Sequence, residues 1–236
     1  MKNQKTSMKD DNKMYFYESI ADHFDSIMNM YDTNKRLNVV FHELLNESIE
    51  NKNILDAGCG TGWFSKWACD RKAKVTSMDL GENLLKKTAQ KCSSKIIIGS
   101  VLKMPFEDNT FDIIISSEVI EHVTEPYLAL KEMYRVLKPE GTLIITTPNK
   151  FWHFSVSLAN LFKLRPYQGL ENWLGWREIK REIKKTGFTI KEMKGIHLFP
   201  FIFPILNPVL DFFHKYNNLL GPFMVNIAIK AVKTSK

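Results

Sequence analysis

The chain has 236 residues, 44% of them hydrophobic and 25% charged, a balance that fits one soluble globular domain with appendages and excludes wholesale disorder and an integral membrane bundle. The net charge of +7 is uneven: −3 over residues 1–50, +2 over 51–162 and +8 over 163–236, and 15 of the 28 aromatic residues lie between residues 151 and 223. Three cysteines, Cys59, Cys69 and Cys92, without CxxC spacing, exclude a disulfide framework and a zinc cluster and point to a reducing, cytoplasmic compartment.

The first 13 residues are polar and hold no signal-peptide core. Residues 15–45 read as two helical segments, with Phe16, Ile20, Phe24 and Ile27 and then Leu37, Val40, Phe41 and Leu44 at helical spacing. They form a helical N-terminal cap within residues 1–50. Next come a strand at 53–56, a glycine-rich turn and a helix to about 71. A strand at 74–79, a helix at 82–92 and a strand at 96–99 follow, then a loop holding Met104, Pro105 and Asp108. Residues 111–117, FDIIISS, are a continuous apolar run of the kind buried on both faces. A helix at 125–137 ends at a Pro139-Glu140-Gly141 stop before a strand at 142–147. Beyond it lie a helix at 173–185 and strands at 188–193 and 224–232. This alternation is that of a doubly wound, mainly parallel sheet.

The tract 196–206, IHLFPFIFPIL, is too short to span a bilayer, for which about 20 residues are needed, and is broken by Pro200 and Pro204. Asn207 and Pro208 read as an N-cap and first-turn proline, with Val209, Phe212, Phe213, Tyr216 and Leu220 on one helical face.

The string ILDAGCGTG, residues 54–62, puts Asp56 at a strand end and Gly58, Gly60 and Gly62 in the turn behind it. Glycine there permits positive φ and close approach of backbone to a ligand. The spacing is not GxGxxG, and no GKS or GKT is present, so neither a nicotinamide dinucleotide nor a triphosphate is indicated. Asp79 ends the second strand, where a carboxylate accepts both hydroxyls of a ribose.

With Asp79 in SMDL, MPFEDNTFD, ISSEVIEHV, RVLKPEG and TTPN following in order, the chain resembles the class I S-adenosylmethionine-dependent methyltransferases across residues 15–149. Within them it is most similar to the branch of ubiquinone-biosynthesis O-methyltransferases, the methyltransferase type 11 domain. The resemblance implies a Rossmann-like, doubly wound seven-stranded sheet, mostly parallel with an antiparallel last strand. It also implies a cofactor-binding core at 51–150 and, at 151–236, an acceptor-side lid with the final strands of the same domain. S-adenosylmethionine is the implied cofactor. Asp56 would hold the glycine loop and the methionine ammonium, and Gly58, Cys59, Gly60 and Gly62 would lie against methionine and ribose. Asp79 would bind the ribose hydroxyls, with Leu80 flanking adenine. Where the family has an acidic residue at the adenine amino group, this chain has Ser100 and Val101, so a hydroxyl replaces a charge-assisted contact. Ser117 and Glu118 would border the methionine, and Arg36 in YDTNKRL stands close to the cofactor.

Glu121 and His122 follow the fourth strand at the ligand-binding edge of such sheets and are the candidate catalytic pair, His122 as general base or as a loop hydrogen-bonder. With Glu118 they could instead ligate a metal, although no partner ligand is identified and no metal is assigned. Cys59 reads as a small filler, since an activated methyl donor needs no covalent relay. His23, His153, His197 and His214 lack motif context. TTPN stands where the resemblance would associate an NPPY string with amide or ring-amino methylation, so oxygen is the expected nucleophile. The expected acceptor is therefore a small or lipid-like molecule, quinone or phenolic types included. RNA methylation through the basic C-terminal region, which shows no RNA-binding module, and a non-catalytic cofactor-binding protein are the alternatives. The connection 196–223, longer than a hairpin needs, is expected to contact a lipid-like acceptor or a membrane surface.

Overall fold

A computed structural model describes residues 16–155, 170–200 and 204–234. Three helices come first, α1 (Phe16–Ser19), α2 (Ala21–Ile27) and α3 (Met30–Asn38), the last running into a π turn over Val39–Leu44. The core then alternates: β1 (Asn53–Ala57), α4 (Trp63–Cys69), β2 (Lys74–Asp79), α5 (Glu82–Lys91), β3 (Lys95–Ile98), β4 (Phe111–Ser117), α6 (Pro126–Val136) and β5 (Leu137–Pro148). The last part holds α7 (Trp176–Thr186), β6 (Phe188–Ile196), α8 (Asn207–His214), α9 (Asn217–Leu220) and β7 (Asn226–Lys233). The expected Tyr15 start of the cap and residues 201–203 of the apolar tract lie outside the described residues.

The strands form one sheet in the order β3-β2-β1-β4-β5-β7-β6, with β7 antiparallel to both of its neighbours. This is the expected seven-stranded, doubly wound arrangement. The middles of its central strands are continuously apolar, because both faces are covered. Leu55, Ile114, Leu143 and Ile229 point into one cluster with α6 and α7. Ile54, Ile113, Ile115 and Ile144 point into the other, with α4 and the π turn. Strand order reverses between β1 and β4, so the crevice at their carboxyl ends is where a ligand finds room.

Two loops are braced by single side chains. Arg135 of α6 donates to the carbonyls of Met104 and Phe106 and to Asp108 and Glu132, and Glu132 accepts from the Met104 amide at 2.8 Å. The MPFEDNTFD loop is thereby tied to the RVLKPEG segment. Lys233 donates to the carbonyls of Tyr134 and Leu137 at 2.7 Å each, satisfying the end of α6.

The structure corrects two expectations. Residues 139–141 do not separate helix from strand but form a bulge within β5. Pairing with β4 steps from Phe111↔Leu137 to Ile113↔Thr142, and Glu140 takes φ +61° to turn the extra residues out. The helix read as capped by Asn207 and continuing to Leu220 also differs in its bounds. Asn207 is already helical, the helix breaks after His214, only Leu210 of α8 is buried, and Val209, Phe212 and Tyr216 are exposed. Polar residues dock these helices instead: Asp211 accepts from Lys35 and Tyr31, and His214 and Asn217 meet Glu43.

Candidate active site

A cavity of about 500 Å³ opens at the carboxyl ends of β1, β2 and β4, within the range of ligand pockets. The turn after β1 forms its floor. Gly58 takes φ +79°, and a Cβ there would stand 2.5 Å from Val119. Gly60 takes φ +54°, and a Cβ there would meet nothing within 4 Å. Its bare backbone therefore faces the open cavity, where a ligand can lie against it.

Asp79 fixes this turn, accepting from the Gly60 amide at 2.9 Å and the Gly81 amide at 3.0 Å, one on each oxygen. A carboxylate offers about four lone-pair sites, so each oxygen can still take a ligand hydroxyl. Burial pushes its pKa up against those amide bonds, which favours a ligand that donates hydrogen bonds to it. Asp56 accepts from Ser65 at 2.6 Å, and burial raises it to about 7. The bare glycine edge, the acceptor-only Asp79 and the flanking Leu80 suit a ribose-bearing cofactor.

The N-terminal helices cover this end. Asp25 of α2 accepts from Thr61 at 2.6 Å, Trp63 at 3.2 Å and Lys91 at 2.6 Å, bridging the glycine turn to α5. Glu18 of α1 accepts from the amides of Asn83 and Leu84, satisfying the N-terminus of α5. Tyr17 reaches the far wall, its hydroxyl 3.2 Å from Nε2 of His122. Nδ1 of His122 stands 2.8 Å from the Leu170 carbonyl. A carbonyl only accepts, so Nδ1 carries the proton and Nε2 receives the Tyr17 hydroxyl.

Buried charge concentrates behind this wall. Arg36 pairs with Asp32 at 2.8 Å and donates to Ser117 at 3.1 Å. Asp32 also meets the buried His197 at 3.1 Å. Glu118, with φ +56° at the end of β4, accepts from Thr146 and Asn226 at 2.9 Å each, and burial lifts its pKa to about 7. Glu121 is 1% exposed, accepts from Thr147 at 3.1 Å and is lifted by burial to about 8.

Of the residues expected from sequence, Arg36, Asp56, Gly58, Cys59, Gly60, Asp79, Leu80, Val101, Ser117, Glu118, Glu121 and His122 line this one cavity. Gly62 and Ser100 do not. Gly62 takes φ +87° because a Cβ would meet Thr88, a packing demand of the turn. The Ser100 hydroxyl accepts from the Leu102 amide at 3.1 Å, which braces its own loop. Cys59 is buried beside Thr88 and burial pushes its thiol far up, in keeping with a filler. Sequence reasoning missed Tyr17, Glu18, Asp32, Trp173 and Asn226, which also line the cavity, and Asp25, which clamps it. The YFYES and ADHFD strings carried only an apolar helical period, and Asn226 begins a strand that reads as plain core.

A family model described as a methyltransferase domain matches residues 55–145. An uncharacterised protein of Methanocaldococcus jannaschii is 31% identical over 201 residues, 82% of this chain and 80% of that one. A malonyl-[acyl-carrier protein] O-methyltransferase of Serratia marcescens is 31% identical over 134 residues, 55% of this chain and 52% of its own. The demethylmenaquinone methyltransferase of Oceanobacillus iheyensis is 26% identical over 229 residues, 81% and 92% of the two chains. A solved S-adenosylmethionine-dependent methyltransferase of Mesorhizobium loti shares the fold, with a TM-score of 0.62 at 16% identity over 83% of this chain and 97% of that one.

Proposed function

This chain belongs to the S-adenosylmethionine-dependent methyltransferases, and on that premise we propose that it methylates an oxygen of a small-molecule or lipid-like acceptor of quinone or phenol type. The cofactor supplies a methyl group on a sulfonium, a good leaving group. Asp79 would hold the ribose hydroxyls, the Gly58 and Gly60 backbone would lie against ribose and methionine, and Leu80 and Val101 would flank the adenine. Arg36, Ser117 and Glu118 would border the methionine end. In this reading residues 1–50 cap the cofactor, 51–150 hold it, and 151–236 form the acceptor side of the same domain.

The observation that carries the oxygen reading is the His122–Tyr17 pair. With Nδ1–H held on Leu170, the Nε2 lone pair faces the cavity wall that Tyr17 closes. An acceptor hydroxyl taking the place of Tyr17 there passes its proton to Nε2 as its oxygen attacks the methyl. Oε1 of Glu121 lies 3.7 Å from Nε2, and because burial lifts its pKa to about 8, only its ionised fraction at neutral pH stabilises the imidazolium that results. A phenol of pKa ~10 is only about 0.1% ionised at neutral pH, so a positioned base has much to contribute. Phe24, Ile27, Met28, Pro148 and Val225 line the same cavity and suit an apolar body. The relative named a demethylmenaquinone methyltransferase supports a quinone-type acceptor, and the one named a malonyl-[acyl-carrier protein] O-methyltransferase supports an oxygen nucleophile.

A lipid-like acceptor also brings the enzyme to a membrane surface, and residues 196–223 are the segment proposed to touch it. Incubation with methyl-labelled cofactor and separated lipid, metabolite and RNA fractions tests the reading. Label should enter lipid or phenolic metabolites, and His122→Ala should lower that turnover ~10²–10⁴-fold with the affinity for S-adenosylhomocysteine little changed. Labelling confined to RNA, or a loss under threefold, overturns the assignment.

A further inference from the structure

His197, one of the four histidines without motif context, is the first residue after β6 and takes φ +59°. Its carbonyl accepts from the Val225 amide at 2.8 Å, so it roots the connection 197–225 where β7 is about to begin. Glycine takes such a φ without cost, whereas any side chain there is strained. The side chain that carries this strain is turned inward and is 1% exposed.

Nε2 of His197 stands 3.1 Å from Oδ1 of Asp32. A carboxylate only accepts, so Nε2 carries the proton. The other oxygen, Oδ2, takes Nε and Nη2 of Arg36 at 2.9 and 2.8 Å. The Asp32 carboxylate is thus held from two sides, by its own helix and by the root of the connection. Burial raises its pKa, and Arg36 and His197 outweigh it to leave the pKa lowered, so it stays charged between them. Arg36 also donates through Nη2 to Thr33 at 3.4 Å and through Nη1 to Ser117 at 3.1 Å. A guanidinium has five N–H groups, and the second hydrogen of Nη1 has no partner among the described residues. Unlike the enclosed His197, Asp32 and Arg36 line the cavity with side chains 10% and 11% exposed.

We infer that His197 is a positioning residue of the cofactor site: it fixes the Asp32 carboxylate, which in turn sets the Arg36 guanidinium toward the carboxylate of the cofactor's amino-acid end. Asp32 and Arg36 stand one turn apart on α3, and a pair at that spacing forms in several rotamers. A guanidinium recognises a carboxylate only when its planar fork is aimed, and the His197 contact selects one aim. The inference rests on the reading that Arg36 borders the methionine end, and it adds the root of the 197–225 connection to that site.

Calorimetric titration of the full chain with S-adenosylhomocysteine and with 5′-methylthioadenosine, which lacks the amino and carboxyl groups, tests it. The wild type should bind the first at least tenfold more tightly, and Arg36→Met should remove most of that preference. His197→Asn accepts the positive φ but is too short to reach Asp32. It should cut the preference at least threefold while the affinity for methylthioadenosine holds within about twofold. His197→Gln, with an N–H donor on a longer side chain, should recover most of the loss. Equal weakening of both ligands in His197→Asn is a merely structural effect and overturns the inference, as does no weakening of either, or a His197→Gln protein no better than His197→Asn. If Arg36→Met leaves the preference intact, the placement of Arg36 at the methionine end fails first.

Discussion

Asp79 and Glu121 are carboxylates at the same sheet edge in unlike surroundings. Asp79 receives two backbone amides that favour its charge, whereas Glu121 is buried with one hydroxyl on Oε2 and is lifted to about 8. An acid whose folded pKa lies above its unfolded value stays protonated after the unfolded chain has ionised, so the unfolded state binds fewer protons between pH ~4.5 and ~8. Glu121 therefore adds stability below that window and loses it as pH rises through it. The melting temperature of the ligand-free protein should fall from pH 5 to pH 8.5, and Glu121→Gln should flatten the fall; an equal slope in the variant refutes the assignment. Glycines and acids set by one local turn, as in residues 54–62 and at Asp79, were legible in the sequence because that turn demands them. Tyr17, Trp173 and Asn226 were not, since each gains its role from a partner more than 45 residues away or from the wall it completes.

Among the elements, α1 and α2 are held by polar contacts and by the edge-on packing of Tyr17 on Phe24 and His122 rather than by a buried face. α1 buries no residue and α2 only Ala21. Their grip on the cofactor end comes from Glu18, Asp25 and Tyr17. Burial raises the Asp25 pKa, and Lys91, Thr61 and Trp63 outweigh it to leave the pKa lowered. Asp25→Ala should speed amide exchange in residues 21–27 and weaken S-adenosylhomocysteine binding severalfold, while the melting temperature moves little. Unchanged exchange in that segment would show that something else holds α2. The core strands and helices were legible from their period because both faces of the sheet are covered. The apolar face after Asn207 was legible too, but the helix break after His214 was not, since the spacing of 3.6 runs on through Tyr216 and Leu220.

Taken as a whole, the molecule is two-sided. Nine of the twelve large exposed apolar side chains among the described residues fall within 151–154 and 205–223, including Phe151, Phe212, Leu219 and Phe223. The two segments are joined through Trp152 Nε1–H on the Phe223 carbonyl at 2.8 Å and ring contact between Phe151 and Phe223 at 5.6 Å. Clusters of this kind mark interaction surfaces. No described helix is long and apolar enough to cross a membrane. The protein should float with anionic liposomes at low salt, and Phe212→Asp with Leu219→Asp should release it without lowering S-adenosylhomocysteine binding. Sedimentation of the wild type away from liposomes would end the membrane proposal.

The antiparallel strand β7 has a consequence for the order in which the molecule can assemble. It lies between β5 and β6, although β6 precedes it in the chain. During synthesis the edge strand β6 therefore emerges before β7, its one sheet neighbour, and the connection 197–225 must be made before the strand that pairs with both β5 and β6. The glycine turn, Asp79 and the β1–β4 crevice need only the earlier, more local part of the chain. Asn226, by contrast, arrives with β7, after the longest-range pairing of the sheet, the kind of contact that forms slowly. The segments that complete the cavity on its β1–β4 side and at Asn226 are thus made at different times in synthesis.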